Sequence, residues 1–194
     1  MTATVKLTTC EVPQMNDVIV LDYDPNWPQV FEALRSSIWS VVSDIAISVE
    51  HVGSTSVPGL AAKPVIDMDV VVREGNVAEG IVRLSTIGYG HQGDLGVAGR
   101  EAFRVPPDSP RHHLYLCPES SPAFANHVAI RDYLRADTIA ARAYGDLKMR
   151  LAREYPDDIN GYGEAKTDFL VGVLRKVGFP ADALADIERM NARP

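Results

Sequence analysis

The stretch His51-Val52-Gly53-Ser54-Thr55-Ser56-Val57-Pro58-Gly59-Leu60-Ala61-Ala62-Lys63-Pro64-Val65-Ile66-Asp67-Met68-Asp69 joins a turn rich in small residues to an apolar segment carrying two acids. Pro64 to Val72 has the β-branched composition and length of a strand. Side chains on a strand alternate with period two, so Asp67 and Asp69 share one face and Met68, Val70 and Val72 the other. Two neighbouring carboxylates repel unless a cation or strong hydrogen bonds compensate them. Oxygen donors of this kind suit Mg²⁺, which is often held by one or two carboxylates together with substrate phosphates. Upstream, Gly53-Ser54 offers backbone N–H groups and a hydroxyl to a phosphate, with no Cβ at Gly53 to obstruct it.

Outward from this stretch, the pattern predicts a mixed α/β unit over about 18–118 and a helical layer over about 123–191, in one domain. Val18 to Leu21 reads as a short strand. A helix follows, with Asp24 or Asn26 as N-cap and Trp27, Val30, Phe31, Leu34, Ile38, Val41 and Val42 at helical spacing. Ile45 to Val52 reads as a strand and Val77 to Ile87 as a short helix. The glycines at 88, 90, 93, 96 and 99 mark a long loop, and strands are expected at Glu101–Val105 and His112–Cys117. Helical spacing then dominates over Ala123–Arg135, Thr138–Glu154 and Glu164–Val177.

The composition narrows the function classes. A chain of 194 residues can bury a core without disulfides, and Cys10 and Cys117 make neither a disulfide framework nor a metal spacing. The lead-in MTATVKLTTC lacks an apolar h-region, and no run reaches the ~20 residues of a membrane span, so a cytoplasmic location is expected. A net charge of −7 disfavours a nucleic-acid partner but not a small anion in a basic pocket. Gly88-Tyr89-Gly90-His91-Gln92-Gly93 follows a helix rather than a strand, so it is not a dinucleotide fingerprint. Gly53 to Lys63 lacks the Gly-Lys-Ser/Thr ending of an ATPase phosphate loop. The five histidines show no zinc-site spacing.

With Gly53-Ser54 followed by Ile66-Asp67-Met68-Asp69-Val70, the chain resembles the nucleotidyltransferase superfamily of the polymerase-β-like fold. More narrowly, it resembles the GrpB family. That resemblance is carried by Leu21–Pro28, His51–Asp69, Gly99–Arg104, His112–Cys117, Arg131–Arg135, Leu147-Lys148 and Glu164–Lys166.

The resemblance implies an α/β (α+β) fold: a nucleotidyltransferase-like mixed sheet with flanking helices and a C-terminal helical layer. It implies that Asp67 and Asp69 hold one or two Mg²⁺ ions, that Gly53 and Ser54 contact phosphate, and that an NMP moves from an NTP to an acceptor. Positive charge for the triphosphate is available from Lys63, Arg100, Arg104, Lys148 and Lys166. The strand that supplies a third acid in many superfamily members here reads His-His-Leu-Tyr-Leu-Cys. His113, with Tyr115 on the same face, stands near that position as base or ligand, and Glu101 is a second candidate. His51 either caps backbone groups or touches ligand. The acceptor is left open, with a small molecule or a protein favoured. The alternative reading is a catalytically impaired nucleotide-binding module serving a partner enzyme, as in GrpB-like fusions to dephospho-CoA kinase. Oligomeric state is not legible.

Overall fold

The structure is a computed structural model and describes residues 18–191. The lead-in and Cys10 lie outside those residues. The elements run α1 Trp27–Val42, β1 Ala46–Val52, a 3-10 turn Ser54–Ser56, β2 Ile66–Val72, α2 Val77–Ser85, β3 Gly90–His91, β4 Glu101–Arg104 and β5 His112–Pro118. Five helices follow: α3 Pro122–Ala136, α4 Thr138–Glu154, α5 Ile159–Glu164, α6 Thr167–Lys176 and α7 Ala181–Asn191.

The sheet has the order β1-β2-β5-β4-β3. β2 pairs antiparallel with β1 and parallel with β5, which gives a mixed sheet. One face is apolar: Met68, Val70 and Val72 join Leu114, Leu116 and Phe103 in a core closed by Trp27, Phe31, Leu34, Ile38 and Val42 of α1. Those helix positions recur every three or four residues, so burying that stripe orients the helix. The opposite face carries Asp67, Asp69, His113 and Tyr115, brought side by side by the pairs Asp67↔His113 and Asp69↔Tyr115.

Three local expectations are corrected. Val18 to Leu21 makes no strand of the sheet: Leu21 forms one isolated antiparallel bridge to Ala62, and Val18 N–H donates to the Pro156 carbonyl at 2.8 Å. Four β-branched or aliphatic residues ahead of an Asp-Pro turn suffice for a bridge but not for a ladder. The loop from Gly88 contains the short edge strand β3, paired to β4 through Gly90↔Arg104 and His91↔Phe103. The helix expected over 164–177 starts later, at Thr167 with Lys166 at its N-cap, because a separate short helix, α5, ends at Glu164.

Three helix starts in the second half carry side-chain caps, whereas Asn26 at the start of α1 makes no side-chain cap hydrogen bond. Ser121 accepts from Phe124 N–H, Asp137 from Ala140 N–H and Asp158 from Gly161 N–H. No helix among the described residues is long and apolar enough to cross a membrane.

His51 settles on the apolar face. Its ring stacks on Phe31 with centroids 4.5 Å apart, and Nε2 lies 3.0 Å from Thr55 Oγ1, which ties β1 to the turn that follows. Burial pushes its pKa down from 6.5 to about 4, against the opposing charge of Asp67. The unfolded chain therefore takes up a proton that the native state refuses as the pH falls from 6.5 to 4. Over that window the free energy of unfolding is expected to drop by about 3 kcal/mol through this group. Urea titrations at several pH values check this: a His51→Gln variant should lose most of the acid-limb slope.

Candidate functional site

Backbone sterics build the floor of the site. Gly53 has φ +68°, and a Cβ added there would stand 2.1 Å from Asp67 Oδ2. The turn therefore passes directly against the first carboxylate, and only glycine permits both the backbone angle and the approach.

Each carboxylate is held by a histidine. His113 of β5 donates from Nδ1 to Asp67 Oδ1 at 2.8 Å. His127 of α3 donates from Nδ1 to Asp69 Oδ2 at 2.8 Å. Burial alone would raise the Asp67 pKa. The His113 hydrogen bond and the charges of His113, His127 and Lys63 outweigh it, holding the carboxyl below its ordinary range. Burial disfavours the charged form of His127, but its bond to Asp69 and the charge of both carboxylates raise its pKa above the usual value. Asp69 is fully buried, and its Oδ1 has no hydrogen-bond partner among the described residues.

α3 clamps a third acid. One helical turn beyond His127, Arg131 Nη1 donates to Glu50 Oε2 at 2.8 Å, and Glu50 lies directly across from Asp69 in the β1–β2 ladder. Glu101 is excluded from the carboxylate pair. It lies opposite Leu116 on the apolar side of the sheet and hydrogen-bonds His91 at 2.5 Å.

The lysines expected from the sequence converge. Ser54, Thr55, Lys63, His113, Lys148 and Lys166 line a small cavity of about 80 Å³ that also touches Asp67. Lys148 follows Tyr144 by one turn on the buried stripe of α4, and its Nζ lies 4.6 Å from the Tyr144 ring centroid. That Nζ is buried and has no hydrogen-bond partner among the described residues. Burial and the neighbouring Lys166 push its pKa well down, with Asp67 opposing. Lys166, projected by the break between α5 and α6, stands 4.4 Å over the Tyr162 ring, and Lys63 lies 5.9 Å from the same ring. Burial, with the charge of Lys63 added, lowers the Lys166 pKa to about 8.

A second cavity of about 290 Å³ shares Ser54, Asp67 and Lys166 with the first. It runs between α3 and α6 past Ile130, Leu134, Tyr144 and Leu170, which gives it an apolar wall. A polar pocket thus opens into a larger, partly apolar one across a single carboxylate.

The two other basic candidates lie elsewhere. Arg104 is exposed near the sheet edge, with its guanidinium against Gly90, and lines neither cavity. Arg100 lies 4.3 Å over the Tyr115 ring, beyond Asp69, and lines a different groove.

The sequence reading did not single out His127, the Arg131–Glu50 pair, or the two tyrosines under the lysines. The available signal was His127 and Arg131 four residues apart, on one face of the predicted helix.

The donor set fits a hard divalent cation completed by substrate. Asp69 Oδ1 is an orphaned acceptor beside a second carboxylate, and each carboxylate is oriented by a hydrogen bond, as metal-ligating carboxylates usually are. Among the described residues no cluster of three or more His, Cys, Asp or Glu could hold a metal. Mg²⁺ characteristically draws its remaining ligands from water and phosphate.

Comparison with known proteins agrees with this architecture. The sheet and helices superpose on a Cid1 poly(U) polymerase bound to MgATP with a TM-score of 0.53, covering 76% of this chain and 50% of that one. At 12% identity this likeness is one of fold, the nucleotidyltransferase fold. The crystal structure of the conserved protein GrpB from Enterococcus faecalis matches with a TM-score of 0.73 and 35% identity, over 87% of this chain and 98% of that one. The UPF0157 protein YqkA of Bacillus subtilis is 34% identical over 154 residues, which span 79% of this chain and 45% of YqkA. The sequence pattern of the family described as GrpB protein matches residues 17–176, and the chain therefore belongs to the GrpB family.

Proposed function

We propose that the protein is a Mg²⁺-dependent nucleotidyltransferase, moving an NMP from an NTP to an acceptor in the cytoplasm. One observation carries this reading: three lysines, one of them buried without a hydrogen-bond partner among the described residues, surround a small pocket at the Gly53-Ser54 turn beside a paired carboxylate site. A buried unpartnered ammonium is unfavourable in the free protein, and a polyphosphate would satisfy it.

The larger cavity has an apolar wall suited to a nucleoside, and the small one a basic lining suited to the β- and γ-phosphates. In the reaction the acceptor oxygen forms a bond to the α-phosphorus. The bond from that phosphorus to the bridging oxygen breaks, and pyrophosphate leaves with the electron pair. The acceptor proton passes to solvent.

Lys63, Lys148 and Lys166 neutralise charge accumulating on the leaving group, and Ser54 orients it. The hydrogen bonds from His113 and His127 hold Asp67 and Asp69 in place, and His113 favours the ionised form of Asp67. Mg²⁺, held by Asp67 and Asp69, would supply Lewis-acid stabilisation of the phosphoryl oxygens.

Calorimetric titration of ATP tests the reading. Wild type is expected to bind in a Mg²⁺-dependent manner, and Asp67→Asn combined with Asp69→Asn should abolish that dependence. Unchanged binding in the double variant would contradict it. Binding without pyrophosphate release for any acceptor would favour the accessory-module alternative.

A further inference from the structure

Beyond Asp69, on the side away from the lysines, lies a groove of about 720 Å³ between the loop at 96–98, the first turns of α3, and α7. His127 lines both this groove and the larger cavity of the nucleotide site, so one imidazole separates the two. We infer that this groove is the acceptor subsite, and that the acceptor is a small hydroxyl compound carrying one anionic group, a phosphate or a carboxylate, received by Arg100. The inference rests on the nucleotidyltransferase reading.

Two observations support it. The first is directional. An in-line displacement needs the entering and leaving groups on opposite sides of the phosphorus. Along β2 and β5 the structure sets the lysine pocket beside Asp67 and His113, then Asp69 with Tyr115 and His127, then Arg100 over the Tyr115 ring. With the pyrophosphate among the lysines, the acceptor must approach from the Arg100 side, where this groove opens.

The second observation is chemical. Arg100 forms no ion pair among the described residues, and its Nε is buried without a hydrogen-bond partner. Asn126, on the same groove, has a buried Oδ1 that likewise lacks a donor. A molecule with an anionic end and a hydroxyl or amine complements this pair. The opposite wall carries Asp182 and Asp186, the latter bonded to Arg189 at 2.6 Å, which disfavours a polyanion such as an RNA strand.

The test uses the full chain with Mg²⁺ and a non-hydrolysable ATP analogue. Binding of glycerol 3-phosphate, L-lactate and glycerol is followed by ligand-observed NMR. At least one anionic probe is expected to bind at least tenfold more tightly than glycerol, and the stronger of the two identifies phosphate or carboxylate. Arg100→Gln should weaken that binding at least tenfold, and so should Ala183→Trp, which fills the groove from α7. In both variants nucleotide affinity should stay within twofold.

Anionic probes no tighter than glycerol would overturn the inference. So would anion binding unaffected by both variants, displacement of the probe by the nucleotide, or preferential binding of a short RNA. A wild type that binds no nucleotide would instead overturn the transferase reading, and the acceptor assignment with it.

Discussion

Replacing Lys148 by Met is expected to make the protein more stable and a weaker binder of nucleotide. Lys148 is 2% exposed, and its ammonium has no hydrogen-bond partner among the described residues. The nearest compensation is the face of Tyr144, at 4.6 Å, and Lys166 adds like charge. Substituting apolar groups of similar volume for buried ionic ones is typically neutral or stabilising by about 1–4 kcal/mol. Met keeps the length of the stem and suits the stripe formed by Tyr144 and Leu151.

The same change removes a charged donor from the pocket. Hydrogen bonds to charged groups contribute about 1.5–3 kcal/mol, so nucleotide affinity should fall roughly 10- to 150-fold. Thermal unfolding and ATP titration on one preparation check both halves. A Lys148→Met protein that is destabilised and binds nucleotide normally would show that the lysine serves packing. Opposite signs in the two readouts are the mark of a residue kept for its ligand at the expense of stability.

The second large effect concerns Gly53. In Gly53→Ala the new methyl would overlap Asp67 Oδ2, and the residue would sit at φ +68°. Asp67 cannot yield without breaking its bond to His113. Strain in a sparsely populated backbone region costs about 1–3 kcal/mol, and displacement of packed atoms a similar amount again, so a loss of about 2–6 kcal/mol is expected. Nucleotide binding should disappear with the shifted carboxylate.

Gly59 is the internal control. It has φ +77° but nothing within 4 Å of an added Cβ, so Gly59→Ala should show the backbone strain alone and keep the site. Equal effects of the two substitutions would mean that the approach of Gly53 to Asp67 is not what the turn is for.

The contrast between these two glycines shows how much the sequence could say. The alternation in β2 was enough to put Asp67 and Asp69 on one face and Met68, Val70 and Val72 in the core, because period two is a local property. The Gly53-Ser54 turn was legible from residue type, but its contact with Asp67 depends on how β1 and β2 pair.

Lys148 could be read as a lysine on an apolar helical stripe, but whether it faced solvent depended on what packed against α4. His127 carried no local signature: a single histidine on an amphipathic helix gains its role only when α3 crosses Asp69. The same holds for the separation of Arg100 and Arg104 from the lysine pocket. Both were candidate phosphate ligands by charge, and strand register put one beyond Asp69 and the other near the sheet edge. Local periodicity reports faces, whereas convergence at a site is a product of tertiary packing.

The histidine on each carboxylate refines the expectation of paired ionised acids. Hydrogen bonds from His113 and His127 supply part of the compensation that two adjacent carboxylates need, and the orphaned oxygen of Asp69 is what they leave over.

A crystal structure with Mg²⁺ and a non-hydrolysable NTP tests the central claim most directly. The account predicts a triphosphate against Gly53-Ser54 and Lys63, Lys148 and Lys166, with metal density between Asp67 and Asp69. A nucleotide found instead in the separate groove lined by Arg135 and Arg142, with Asp67 and Asp69 free of metal, would contradict it.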